Sequence, residues 1–165
     1  MPATYEPIAT TTLGTAAATI TFSSIPATYT DLRLVFVFAG NAAVNPRFRF
    51  NADTGSNYSQ TALMGDGSSA QSTRGTSQTL IYTTIYNGLA SGVPGLCTID
   101  VFSYTGSTFK TALLTGSTDS NGSGQVERDV ALWRSTSAIT QIDLISGSST
   151  FNVGTTATLY GILKA

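Results

Sequence analysis

The sequence contains no histidine and only one cysteine among its 165 residues. Without histidine, the Ser-His-Asp and Cys-His arrangements of nucleophilic catalysis are excluded, as are zinc sites built on imidazole ligands. The single cysteine, Cys97, can form neither an intrachain disulfide nor a cysteine-rich zinc site. Its neighbours Leu96, Thr98 and Ile99 are typical of a strand, so we predict that Cys97 is a small buried hydrophobic residue.

Charge is also scarce. Asp, Glu, Lys and Arg make up 10% of the chain, with a net charge of −1, against roughly 25% in an ordinary soluble protein. No segment concentrates Lys or Arg, as nucleic-acid binding requires. There is no run of about 18 apolar residues, and residues 1–13 lack the basic and apolar regions of a signal peptide. We therefore expect no nucleic-acid partner, no membrane segment and folding in a cytoplasm.

The patterns that are present are those of short β-strands. Runs rich in Thr, Val, Ile and aromatic residues recur between Gly, Asn, Asp, Ser and Pro, and no helical periodicity of useful length occurs. We predict a single domain over residues 1–165, an all-β, jelly-roll-like antiparallel sandwich with residues 1–7 as a possible N-terminal arm. Gly65–Gly75, the longest polar stretch, is predicted to be a loop. About ten strands are expected, near Ile8–Leu13, Ala17–Ile25, Asp31–Ala39, Arg47–Asn51, Tyr58–Met64, Gln78–Tyr86, Leu96–Tyr104, Phe109–Thr115, Val126–Arg134, Ile139–Ser146 and Thr156–Lys164.

Two of these strands, Asp31–Ala39 and Gln78–Tyr86, are apolar on both faces, although an exposed sheet face is normally polar. A neighbouring copy of the chain would cover the second face. The alternative is a second face that lies under a loop or carries Thr and Val in water. We expect a homo-oligomer, with a trimer favoured because closed symmetry satisfies every copy equally. The candidate interface residues are Tyr82, Tyr86, Val93 and Pro94.

Carboxylate pairs are the only candidates for catalysis. Glu127 and Asp129 share one face of a predicted strand, at a separation within the range used by glycoside hydrolases. Such spacing is common by chance, and charged residues on one strand face usually face solvent. We therefore predict no catalytic residues and no enzyme, with polysaccharide hydrolysis as a minor alternative. The carboxylates considered are Glu6, Asp100, Glu127, Asp129 and Asp143.

One segment offers oxygen ligands at alternate positions, as a calcium loop does. Asn51, Asp53 and Asn57 are the weak metal candidates, but only one of them is charged and no glutamate follows at the twelfth position. A tight turn in which Asn51 and Asp53 bond their own backbone is the favoured interpretation. No cofactor is expected.

Aromatic residues offer a second binding hypothesis. Trp133, Tyr82, Tyr86 and Tyr104 could form a sugar-binding platform. Aromatic side chains also dominate sandwich cores and subunit interfaces, which is the favoured interpretation for each of them.

Three stretches carry a family resemblance. The first lies near the N-terminus and comprises Ile8–Leu13, Ile20–Pro26 and Tyr29–Leu34. The second is Phe50–Tyr58, and the third is Gly154–Ile162. Together they resemble small β-sandwich proteins of tailed bacteriophages, among them head decoration or cement proteins and fibre modules. The resemblance implies a virion structural protein, assembled in the host cytoplasm. Its expected partners are the major capsid protein or another virion protein and its own copies, and a tail-fibre or receptor- and glycan-binding module is the alternative.

Overall fold

The computed structural model describes residues 4–40, 44–83 and 93–163. This part of the chain forms twelve β-strands and no helix, so no described segment is a helix long and apolar enough to cross a membrane. The strands are β1 (Tyr5–Thr12), β2 (Thr19–Phe22), β3 (Asp31–Phe38), β4 (Arg47–Phe50), β5 (Tyr58–Gly65), β6 (Ala70–Gln78), β7 (Ile81–Tyr82), β8 (Gly95–Val101), β9 (Lys110–Asp119), β10 (Gly124–Trp133), β11 (Ile142–Ile145) and β12 (Thr156–Ile162).

The strands form two antiparallel sheets. The large sheet has the order β1-β12-β3-β8-β9-β10-β5-β6, and the small sheet has the order β2-β11-β4-β7. Without β5, β6, β9 and β10, four strands remain in each sheet, in the orders β1-β12-β3-β8 and β2-β11-β4-β7, and every connection except that from β4 to β7 crosses from one sheet to the other. That is jelly-roll topology, so the predicted jelly-roll-like sandwich is confirmed. The β5–β6 and β9–β10 hairpins widen the large sheet beyond β8.

The core lies between the inner faces of the two sheets. Along β3, Leu32, Leu34, Phe36 and Phe38 are buried while the residues between them are half-buried or exposed, as a strand's two-residue period requires. Phe36 stacks on Phe38, with ring centres 4.8 Å apart, and meets the edge of Phe151 at 5.1 Å. The small sheet faces them with Ile20, Phe22, Phe48, Phe50, Ile81, Ile142 and Leu144. Cys97 is fully buried here, as predicted.

Three sequence predictions need correction. The predicted strand Gln78–Tyr86 is interrupted, because Gln78 ends β6 and the two residues Ile81 and Tyr82 form β7 in the other sheet, while residues 84–86 lie outside the described part of the chain. The predicted loop Gly65–Gly75 is instead a hairpin, in which β5 and β6 are joined through a turn closed by a hydrogen bond from the Asp66 amide to the Ser69 carbonyl, at 3.2 Å. β6 is mostly exposed on both faces, so it carries no alternation of polar and apolar residues. Residues 5–7 of the predicted N-terminal arm belong to β1, where Tyr5 pairs with Ile162. Residues 1–3 lie outside the described residues.

Candidate functional site

The segment 51–57 is a turn whose side chains bond the protein itself. The Asp53 carboxylate accepts hydrogen bonds from the Gly55 amide at 2.8 Å, the Asn57 side-chain amide at 2.9 Å and the Trp133 indole at 2.7 Å. Burial raises the pKa of Asp53, but these three donors outweigh burial and hold it below its ordinary value. The turn was expected to be purely local. Asn51 instead reaches a distant segment, accepting from the Thr140 and Gln141 amides and donating to the Ala138 carbonyl.

These contacts predict that the turn needs no metal ion. Addition of EDTA should leave the melting temperature unchanged, because protein donors already occupy the Asp53 oxygens. Asp53→Ala should lower the free energy of unfolding by about 1–3 kcal/mol, since it leaves the Trp133 indole N–H without its acceptor. Thr54→Ala is the control, and thermal melts with and without EDTA are the measurement. A drop in melting temperature on chelation, restored by calcium, would make Asn51, Asp53 and Asn57 metal ligands.

Most of the candidate carboxylates are far apart in the fold and have structural partners. Asp100 forms a two-point ion pair with Arg33 across β8 and β3, at 2.5 and 2.7 Å. Asp143 accepts from Thr21 and Gln141, and Glu6 accepts from the Tyr29 hydroxyl. Only Glu127 and Asp129 lie together. Among the described residues, no three His, Cys, Asp or Glu side chains form a group that could hold a metal ion.

The Glu127–Asp129 pair was expected to face solvent, and the structure reverses this. Both side chains point to the inner face of β10, where Asp129 is only 1% exposed and Glu127 is 4% exposed. Neither Asp129 oxygen has a hydrogen-bond partner. Burial, and then the neighbouring charge of Glu127, raise the pKa of Asp129 to about 8. A pair enclosed in this way is not open to a polysaccharide chain, and the acids instead influence stability.

The candidate aromatic residues do not form a surface platform where the structure describes them. Trp133 is buried and stacks on Tyr58, and Tyr104 is buried with its hydroxyl bonded to the Pro26 carbonyl. Tyr82 is half-buried beneath the guanidinium of Arg47, 5.2 Å from its ring centre. Tyr86 lies outside the described residues.

The outer face of the large sheet is unusually apolar. We define this outer face by the outward side chains of β3, β8, β9, β10 and β5. The burial of Glu127 and Asp129 turns their neighbours Val126 and Val130 outward, and Val126 is 62% exposed. The strand register places Val37, Leu96, Ser117, Val126 and Gly65 side by side in one row across these strands. The remaining apolar members are Val35, Leu63, Leu113, Val130 and Leu132.

Charge on the outer face is almost cancelled. Arg33 and Asp100 neutralise each other there, and theirs is the only ion pair found among residues 4–40, 44–83 and 93–163. Arg128, which donates to the Thr115 hydroxyl, adds one positive charge, and Asp31 and Asp119 add negative charge at the ends of β3 and β9. The outer side of the small sheet is different, because Arg47, Arg49 and Asp143 lie on it. The two sides of the sandwich therefore differ in character, and the large sheet presents the surface that is easier to dehydrate.

A cleft of about 690 Å³ lies at one end of the outer face. Its floor includes Val37, Leu96 and Val126, and the β5–β6 and β9–β10 turns flank it with Asp66 and Asp119. Its described lining contains no aromatic ring on which a sugar could stack. The cleft is continuous with the apolar row, so it belongs to the same surface.

Of the three interface candidates that the structure describes, one lies on this surface. Pro94 is exposed and lines the cleft. Val93 is half-buried against the core, and Tyr82 lies on the small sheet. The sequence prediction missed Val126, Val130 and Leu63. The alternation along β10 was visible, but it was assigned with the charged residues facing solvent.

Comparisons of the chain with protein-family models, with curated proteins and with solved structures gave no match.

Proposed function

We propose that this protein is a structural component of a virus particle, acting as a capsid decoration or cement protein that binds the shell and its own copies. The observation that carries the proposal is the outer face of the large sheet. Val126 and Val130 face outward there while two carboxylates on the same strand are buried. In a protein that remains a monomer, exposed valines and buried carboxylates on one strand lower the stability of the fold. The same arrangement suits a face that is covered by another molecule in an assembly.

The jelly-roll fold is compatible with this role. Jelly rolls occur in viral capsid proteins, in lectins and in cupins. The choice among these classes depends on the surface. Interface centres are depleted of charge and rich in apolar side chains. The middle of the outer face matches this, because Arg128 is its unpaired charge while Asp31 and Asp119 lie at the ends of their strands.

The tail-fibre and glycan-binding alternative has less support. The cleft has no aromatic residue in its described lining, and Trp133 and Tyr104 are buried. Polysaccharide hydrolysis would require an accessible carboxylate pair, and Glu127 and Asp129 are enclosed. Binding to a glycan array, or release of sugar from host polysaccharide, would favour these alternatives over decoration.

Self-association through the outer face can be tested with a matched pair of variants. Val126 and Val153 are similarly exposed, at 62% and 64%, but Val153 lies in a turn outside the outer face. Val126→Asp should weaken self-association about tenfold or more, because it places an unpaired charge in a dehydrated contact. Val153→Asp should have no such effect, and both variants should keep the far-UV circular dichroism of the folded β-sandwich, so that any difference between them reflects association.

Light scattering at micromolar concentration is the measurement. A homo-oligomer is expected, and a trimer would have three times the 17.1 kDa mass of the chain. A wild-type mass equal to one chain, or equal effects of the two aspartates, would contradict assembly through the outer face.

A further inference from the structure

The two edges of the large sheet are protected to different degrees. Edge strands expose unpaired backbone groups, and proteins commonly block them with proline, lysine, bulges or short length. β1 contains Pro7 and a shift in register between Pro7 and Ala9. β6 has nine residues with no proline or lysine. It pairs regularly with β5 over Ala70–Gly75, and its own register shift lies beyond this stretch, between Gly75 and Gln78. Among the strands that the structure describes, none pairs with the outer edge of β6, and over Ala70–Gly75 this edge is suited to pairing with another strand.

β6 also contributes little to the core of its own protomer. None of its side chains is buried, and most are exposed. Apart from Arg74, its residues are small or uncharged and polar. The requirements of this protomer's core therefore do not explain the length of β6, although a contact along its free edge would.

The β5–β6 turn shows which backbone groups of β6 point away from β5. The bond from the Asp66 amide to the Ser69 carbonyl makes these two residues a hydrogen-bonded pair. Such pairs alternate along an antiparallel ladder, so Gln71 and Thr73 face β5. The backbone groups of Ala70, Ser72 and Arg74 accordingly point outward from the sheet.

We propose that β6 of one copy pairs antiparallel with β6 of a second copy, about a two-fold axis at Ser72. In this register Ser72 lies opposite Ser72 of the second copy, and Ala70 lies opposite Arg74 of the second copy. All three residues with outward-pointing backbone groups therefore form hydrogen bonds across the contact. An axis at Arg74 would place two like charges opposite each other, which is destabilising. Because the contact is isologous, both copies satisfy their free edges at once.

Charge complementarity favours a second copy as the occupant. Arg74 of one copy lies opposite Ala70 of the other, and the residue beyond Ala70 in the ladder is Gly65. Neither has a large side chain, so the guanidinium can reach the turn that carries Asp66. The Asp66 carboxylate accepts from the Ser68 and Ser69 amides at 2.8 and 2.7 Å, and these bonds hold its pKa below the ordinary value. Because the axis is two-fold, the contact between Arg74 of one copy and Asp66 of the other forms twice.

The contact is independent of the proposed function, since it uses the sheet edge and not the outer face. Disulfide trapping tests it. Facing residues of a hydrogen-bonded pair have Cα atoms about 5.5 Å apart, within the usual range for a disulfide. Ser72→Cys should therefore form a covalent dimer under mild oxidation, with twice the 17.1 kDa chain mass on a denaturing gel. Cys97 is buried and should not react.

Ser148→Cys, at another exposed serine in the turn after β11, is the control for random collision. We expect Ser72→Cys to cross-link at least tenfold faster than this control. In the Ser72→Cys background, Asp66→Asn keeps the turn acceptor and removes the charge, so it should slow cross-linking about threefold to tenfold, and Arg74→Gln should do the same. Equal rates for the two cysteine variants would overturn the pairing. Rates unaffected by either charge substitution would overturn its register.

Discussion

Phe36→Ala is expected to lower the free energy of unfolding by about 3–5 kcal/mol, the range for deletion of a buried aromatic side chain. Phe36 has no exposed surface, and it lies on β3, between β12 and β8 in the large sheet. Its ring stacks on Phe38 and meets the edge of Phe151. Truncation would leave a cavity where three rings now pack, and rigid neighbouring strands limit the collapse of that space.

Val37→Ala is the matched control on the same strand. Val37 faces outward and is 43% exposed, so its loss should cost well under 1 kcal/mol in an isolated chain. Denaturant unfolding of both variants, with the slope compared with that of the wild type, gives the difference. Similar midpoints for Phe36→Ala and wild type would show that this ring cluster does not stabilise the sandwich.

Asp129 should make the protein less stable as the pH rises from about 4 to about 8. Its pKa in the folded protein is raised to about 8, whereas an unfolded aspartate titrates near 3.9. Between these values the folded state holds a proton that the unfolded state has released. The stability contribution is therefore fully present below the unfolded pKa and is lost as the pH approaches 8.

Asp129→Asn removes this titration and should be more stable than wild type by on the order of 3–5 kcal/mol at pH 8. The difference should shrink toward pH 4. Asp119→Asn, at an exposed carboxyl in the β9–β10 turn, serves as the control. Thermal melts at each pH unit from 4 to 9 give the comparison. Parallel pH profiles for wild type and Asp129→Asn would contradict a neutral buried carboxyl.

The strands that face the core could be predicted because their alternation is strong. β3 shows this best, since its four buried residues alternate with half-buried or exposed ones. β6 could not be found in this way, because a strand exposed on both faces has no apolar period. Its signal is the turn sequence Asp66-Gly67-Ser68-Ser69, which lies within the predicted loop Gly65–Gly75 and is the middle of the β5–β6 hairpin. The pairing of β1 with β12 joins distant parts of the chain, which local patterns do not specify.

The direction in which β10 faces was the main obstacle to predicting the site. The alternation along β10 allows two orientations, one with the carboxylates facing solvent and one with the valines facing solvent. The first is usual in proteins. The structure has the second, in which Val126 is exposed and Asp129 is buried. Likewise, the spacing of Asn51, Asp53 and Asn57 indicated a turn. The bonds from Asn51 to Thr140 and from Asp53 to Trp133 depend on tertiary contacts that the spacing does not contain.

The proposed role predicts that the chain is part of a virus particle, and the most direct test is a density map of purified particles from a virus found to carry its gene, together with quantitative mass spectrometry. We predict many copies on the shell, in numbers comparable to the major capsid protein, with Val126 and Leu96 covered by the shell or by a neighbouring copy. A few copies confined to the tail would favour the fibre alternative. Absence of the chain from the particle, or an outer face open to solvent in every copy, would contradict the role proposed for it.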